Sequence, residues 1–100
     1  MGMFNYIIVQ CPLPLDSSGV KEWQTKSIQP LNLDTIIVSS SGTLFFKSLD
    51  DNSAPRIERF DYDGVLNFYG TDDAGEWHEY NAVYSDGELQ NVTAYRHPSL

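Results

Sequence analysis

Two Asp-rich stretches and a His-Glu pair are the residues whose types best suit chemistry in this chain of 100 residues. Asp61-Tyr62-Asp63-Gly64 and Asp72-Asp73-Ala74-Gly75-Glu76 supply the hard oxygen donors that calcium takes. An EF-hand loop needs oxygens at alternate positions, Gly at the sixth and Glu at the twelfth. The first stretch has Gly at its fourth position and then Val65 and Leu66; the second also lacks the spacing. His78-Glu79 is half of a zinc-protease motif, but Ala82 stands four residues on, where a second His is required. Zinc wants three or four N, O or S ligands, and only His97 and Cys11 are left to join His78. No metal and no other cofactor is expected.

Catalysis by side chains alone fares no better. Glu76 and Glu79 fall on opposite faces of a strand, which argues against a glycosidase pair held ~5 or ~6.5–9.5 Å apart. Fourteen acids produce close pairs by chance, so proximity alone assigns no role. Cys11 is the lone cysteine, without a His or Lys within a few residues to activate it, and reads as a small packing residue. It can form no internal disulfide, and a reducing, cytoplasmic setting fits that. There is no Gly-rich phosphate loop, Ser nucleophile elbow or Cys/His dyad spacing. The expectation is a protein that binds rather than catalyses.

Charge narrows the choice of partner. The net charge is −8, and it is concentrated. Residues 50–88 hold eleven acids against Arg56 and Arg59, whereas residues 1–49 are neutral overall. Such a field repels phosphate backbones and attracts a basic surface. Same-face residues on a strand recur every ~6.6–6.8 Å, about half as densely as the phosphates of one DNA strand. The acids therefore predict clusters at the ends of a sheet more than a continuous DNA-like track.

The elements that must position these residues read as strands. Aromatic and β-branched residues fill 4–10, 34–39, 43–48, 56–62, 65–69, 76–84 and 88–96, mostly at a period of two. Residues 12–19, with Pro12 and Pro14, read as an extended linker ending in a turn. Residues 20–28 are ambiguous between a short helix and a strand, with strand favoured over 23–28 because Pro30 follows. Residues 49–55 read as a polar loop. Asp63-Gly64 predicts a hairpin, since Gly tolerates the positive φ of a type I′ turn; 70–75 and Ser85-Asp86-Gly87 predict two more. Three short connections would make antiparallel neighbours of four successive strands. The fold class expected is mostly β, a single small antiparallel sheet or meander, with one short helix near residues 20–28 as the alternative.

One domain over residues 1–100 is expected, with 97–100 as a frayed tail and the residues before Met3 as a vector scar. The apolar runs at 6–9 and 36–38 fall far short of the ~18 residues of a membrane span. No basic segment precedes an apolar stretch, and Tyr6 stands where a myristoylation signal wants Ser or Thr. The acceptor triplet Asn91-Val92-Thr93 is discarded for want of a secretory route. Phe45, Phe46, Phe60, Phe68, Tyr69, Trp77, Tyr80 and Tyr84 read as core and cross-strand pairs. The adjacent pairs Phe45-Phe46 and Phe68-Tyr69 must each send one ring away from the other, so either both faces are covered or aromatics face a partner.

Trp23-Gln24-Thr25-Lys26-Ser27, then Gly42-Thr43-Leu44, Gly64-Val65-Leu66-Asn67-Phe68-Tyr69, Gly75-Glu76-Trp77-His78-Glu79-Tyr80 and Ser85-Asp86-Gly87-Glu88-Leu89 together resemble small proteins encoded by phages and prophages. The resemblance spans about residues 22–90 and brings no assigned activity or catalytic residue with it. It implies an accessory protein that acts by binding a host factor in the bacterial cytoplasm. The leading expectation is thus a non-enzymatic protein docking a basic host protein, such as a defence or nucleic-acid-handling factor. The contacts would be Asp72, Asp73, Glu76, Glu79, Asp86 and Glu88. The alternatives are a small-molecule module whose cleft is lined by Trp23, Trp77, Tyr80 and Tyr84 with Gln24 and Lys26 as polar anchors, and a virion-associated protein assembling through strand edges.

Overall fold

The computed structural model describes residues 4–28, 35–48, 56–59 and 61–98, and these form strands without a helix. The strands are β1 (Asn5–Val9), β2 (Trp23–Thr25), β3 (Thr35–Val38), β4 (Leu44–Ser48), β5 (Arg56–Arg59), β6 (Gly64–Thr71), β7 (Trp77–Ser85) and β8 (Glu88–Arg96). They make one eight-stranded sheet in the order β5-β4-β3-β1-β2-β6-β7-β8. The mostly β class holds, but the sheet is larger than the expected meander and is mixed, because β1 and β3 run parallel. The segment near residue 20 supplies a three-residue strand in place of a helix.

The parallel pair needs no long crossover. Thr25, at the end of β2, lies opposite Asn5, and Thr35, at the start of β3, lies beside Tyr6. Both therefore sit at the same end of β1, on either side of it, ~10 Å apart across two strand spacings. In effect β2 and β3 are two arms of a split hairpin with β1 inserted between them.

A second departure concerns Asp63-Gly64. The expected hairpin between β5 and β6 does not form: β5 is an edge strand, and β6 lies between β2 and β7. Five strand spacings would put β5 and β6 ~24 Å apart in a flat sheet, whereas the steps from residue 59 to 64 reach at most ~18 Å. The covalent chain therefore requires the sheet to roll. The roll brings the β3–β4 turn to β7, where the Tyr84 hydroxyl donates to the Gly42 carbonyl at 2.6 Å. Gly42 has φ +91° and packs on Leu89 so closely that a Cβ would lie 2.7 Å from that side chain.

Asp86-Gly87 is the genuine type I′ turn, with φ of 51° and 82°. Asp63 supports it from outside: its Oδ1 accepts from the Asp86 N–H at 2.7 Å, and the Tyr62 carbonyl accepts from the Gly87 N–H at 3.1 Å.

Alternation then assigns the two faces. The inner face buries Ile7, Trp23, Ile36, Val38, Leu44, Leu66, Phe68, Tyr80, Ala82 and Tyr84. Residues 11–19 are a strap more than a linker, since Cys11 and Leu13 pack against that core and the Leu15 carbonyl accepts from the buried Tyr80 hydroxyl at 3.0 Å. The outer face leaves Ile8, Val65 and Trp77 exposed. One register row crosses it from β5 to β8: Ile57, Lys47, Thr35, Tyr6, Gln24, Tyr69, Glu79, Arg96. Both sheet edges are blunted. β5 is short and shows charged Glu58 and Arg59, and two register shifts interrupt the pairing of β8.

Phe60 and residues 49–55, read above as a strand aromatic and a polar loop, lie outside the described residues, as do residues 1–3. The tail expectation needs correction at its first residue. His97 is buried, and its Nε2–H donates to the Asp16 carbonyl at 2.7 Å.

Candidate functional site

Two arrangements at the β6–β7 end of the sheet gather the polar chemistry, one on each face. On the inner face, β7 places His78 and Tyr80 side by side beneath the strap. His78 Nε2 lies 2.8 Å from Asp72 Oδ2, its Nδ1 lies 3.1 Å from Ser17 Oγ, and Ser17 Oγ lies 2.6 Å from the Tyr80 hydroxyl. The His97 ring meets the His78 ring edge-on at 4.6 Å. Ser, His and Asp in a chain carry the residue types of a hydrolytic triad. Here the Ser17 hydroxyl is held between His78 and Tyr80, and neither cleft described below is lined by it. Physically, the arrangement fastens the strap to the sheet at Leu15, Asp16 and Ser17.

Asp72 is the corner of that network. Its Oδ1 accepts from the Ala74 and Glu76 N–H groups at 2.9 Å each, closing the β6–β7 loop. The hydrogen bond from His78 and then the one from the Glu76 N–H hold its carboxyl below the usual carboxylate range. Sequence spacing missed this network. Ser17 and His78 are 61 residues apart, and only the strap's path joins them.

On the outer face, Trp77 and Tyr69 stack with ring centroids 5.1 Å apart and planes 15° from parallel. They are diagonal neighbours, since Thr71 faces Trp77 and Tyr69 faces Glu79 across the β6–β7 ladder. Glu79 locks the stack: its Oε1 accepts from the Trp77 indole N–H and its Oε2 from the Asn67 amide, both at 2.8 Å. Burial, followed by the charge of Glu79, pushes the Tyr69 hydroxyl pKa up.

The stack forms one wall of a cleft of about 320 Å³, and Gly19, Lys21, Glu22 and Gln24 form the other. Gly70 makes this possible. A Cβ there would lie 2.5 Å from the Glu22 carbonyl and 2.7 Å from Val20, so only glycine lets residues 20–22 lie so close to β6. Lys21 and Asp73 face each other at the rim, 4.0 Å apart and both mostly exposed. On the far side of Trp77, a second cleft of about 360 Å³ is lined by Glu76, Tyr95, Arg96, His97 and Pro98. Trp77, 42% exposed, thus stands between the two.

The residues expected from sequence divide on this map. Trp23, Tyr80 and Tyr84 are core, with Trp23 edge-on to both Phe68 and Tyr80. They line neither of the two clefts, because alternation on β7 turns Tyr80 and Tyr84 inward and Trp23 is buried against them. Gln24 and Trp77 do line the first cleft; Lys26 is exposed but is absent from its wall. Of the acids, Asp72 and Glu79 spend their oxygens on internal bonds, while Asp73, Glu76, Asp86 and Glu88 are exposed. Asp86 and Glu88 sit at the opposite end of β7, ~27 Å from Trp77 at ~3.4 Å per residue. The six acids are therefore two groups, not one patch.

Among the described residues no group of three or more His, Cys, Asp or Glu side chains could hold a metal ion. Among the described residues no helix is long and apolar enough to cross a membrane. No protein-family model matches the chain, and no curated protein or solved structure matches it.

Proposed function

We propose that this protein is a non-enzymatic binding protein that docks a basic protein partner through the outer face at the β6–β7 end of its sheet. The observation that carries the reading is the exposed Trp77, standing between two clefts among Glu22, Asp73, Glu76 and Glu79. Exposed aromatic rings anchor interfaces, and surrounding carboxylates steer a cationic surface toward them. Two cations stand nearby, and both have acidic neighbours: Lys21 faces Asp73, and Arg96 is the register partner of Glu79. Following the resemblance drawn from the sequence, the partner is a host protein met in the bacterial cytoplasm.

The test is affinity capture with the full chain, followed by titration of the purified captured protein against wild type and the Asp73→Lys/Glu76→Lys double variant. A basic partner whose affinity falls at least tenfold in the double variant, and falls with added salt, supports the reading. A partner that is acidic, or that binds both proteins alike, overturns it.

A further inference from the structure

We infer that the cleft between the Tyr69–Trp77 stack and residues 19–22 seats one arginine side chain of the basic protein partner, an inference that rests on the reading above. Size comes first. About 320 Å³ is at the bottom of the range for small-molecule sites, room for one long side chain more than for a drug-sized ligand. Shape comes second. Because Trp77 lies parallel on Tyr69, each ring holds the other's plane fixed and keeps one face free, and a planar guanidinium stacks on such a free ring face where a compact ammonium does not.

Charge comes third. Glu79 accepts from the indole N–H of Trp77, which puts a carboxylate at the ring's positive edge and strengthens the attraction of its face for a cation. Glu22 lines the cleft as well, with its carboxylate 3.4 Å from the Gln24 amide. It can receive the guanidinium N–H groups while the plane rests on the Tyr69–Trp77 stack. The Lys21 charge is offset by Asp73 at the rim. Finally, the cleft is built and not incidental: Gly70 is required for its floor, and Gly19 approaches Asp72 so closely that a Cβ would lie 3.1 Å from the Asp72 Cβ.

The experiment uses ¹⁵N-labelled full chain and blocked Gly-Arg-Gly, with Gly-Lys-Gly, Gly-citrulline-Gly and a neutral methyl glucoside as comparators. The Trp77 indole resonance is assigned as the one lost in Trp77→Phe, and the buried Trp23 indole serves as an internal control. The arginine peptide is expected to shift the Trp77 indole and the Gln24 and Gly70 amides saturably, with a dissociation constant of order millimolar. Lysine should bind more weakly, and the uncharged isostere citrulline should produce no saturable shift. Trp77→Ala and Glu22→Gln should each weaken binding roughly five- to thirty-fold, as a desolvated cation–π or ion-pair contact implies. Both positions are exposed, and an otherwise unchanged spectrum verifies that the variants fold.

Citrulline shifting the same resonances as strongly as arginine overturns the inference, as do shifts confined to residues outside the cleft or saturation by the glucoside alone. An unresponsive cleft in a protein that still captures its basic partner overturns the arginine seat and leaves the wider docking reading standing. A responsive cleft with no basic partner does the reverse.

Discussion

Replacing Tyr84 by Phe removes one oxygen atom and tests the clamp between β7 and the β3–β4 turn. Tyr84 is 2% exposed, and its hydroxyl donates to the Gly42 carbonyl at 2.6 Å, joining β7 to a turn that would lie ~19–24 Å away in a flat sheet. Without the hydroxyl, a buried carbonyl is left without that partner, which costs about 1–3 kcal/mol. For a chain of this size that lowers the melting temperature by roughly 5–20 °C. Urea unfolding followed by tryptophan fluorescence reads the change as a shift in midpoint at unchanged slope.

Tyr62→Phe is the matched control. Its ring lies 6.1 Å from that of Tyr84, but its hydroxyl makes a local, exposed bond to the Val65 carbonyl, so the same deletion should cost about 0.5 kcal/mol or less. Alkaline titration adds a second signature. Burial, with the neighbouring Cys11 thiol contributing less, pushes the Tyr84 hydroxyl well above its ordinary value of 10.0. A raised folded-state pKa gives stability that is present below pH 10 and is lost as the pH rises through the folded value. Wild type should therefore weaken above pH 10, and Tyr84→Phe should weaken less. Equal losses in Tyr84→Phe and Tyr62→Phe, or a Tyr84→Phe change under about 0.5 kcal/mol, would refute the clamp that ties the β3–β4 turn to β7.

Acid stability should depend on Asp72. Its depressed carboxyl contributes stability present above the ordinary value of 3.8 and lost as the pH falls through the lower folded value, so Asp72→Asn should flatten the acid limb of a denaturation series. Gly70→Ala must displace residues 20–22 from β6, and a destabilisation of about 1–3 kcal/mol is expected in the same urea assay. Trp77→Ala, at an exposed position, should change stability by about 1 kcal/mol or less while weakening the binding the outer face supports; circular dichroism melts separate the two effects.

Local signals in the sequence were sufficient where local contacts decide the structure. Residues 70–75 and Asp86-Gly87 join neighbouring strands as their turn chemistry requires, and alternation along β7 is clean from His78 to Tyr84. The same Asp-Gly dipeptide at 63–64 misleads because turn chemistry specifies a backbone conformation, not the partner strand. Gly64 does adopt φ +123°, yet it leads into β6 on the far side of the roll. Nothing local announces the insertion of β1 between β2 and β3 either. That is decided by which apolar faces bury together, a long-range matter. For the site, Phe68-Tyr69 already signalled that one ring must face outward, and Tyr69 is that ring. The partners of that ring across the cleft, at Lys21 and Glu22, come from a segment about 47 residues earlier and carry no periodic mark.

The acidic segment of the sequence does not act as one field, and this separates the two ends of the sheet as surfaces for the proposed docking. At physiological salt, charges further apart than ~8–10 Å are largely screened from one another. Asp86 and Glu88, ~27 Å from Trp77, therefore add nothing to the capture of a partner at the cleft. They belong with Asp61 and Asp63, and that group is partly committed. Asp63 caps the Asp86 N–H, and Asp61 lies 3.7 Å from Arg59. At the cleft end, Asp72 and Glu79 are committed too, but Glu79's commitment is to the ring that a cation would contact. Exposed charge without a ring gives steering and little residence time; a ring with a carboxylate at its edge supplies both. Only the β6–β7 end joins a carboxylate to an exposed aromatic stack among the described residues, so the salt dependence of partner binding should track Glu22, Asp73 and Glu76 and be indifferent to neutralisation of Asp86 and Glu88.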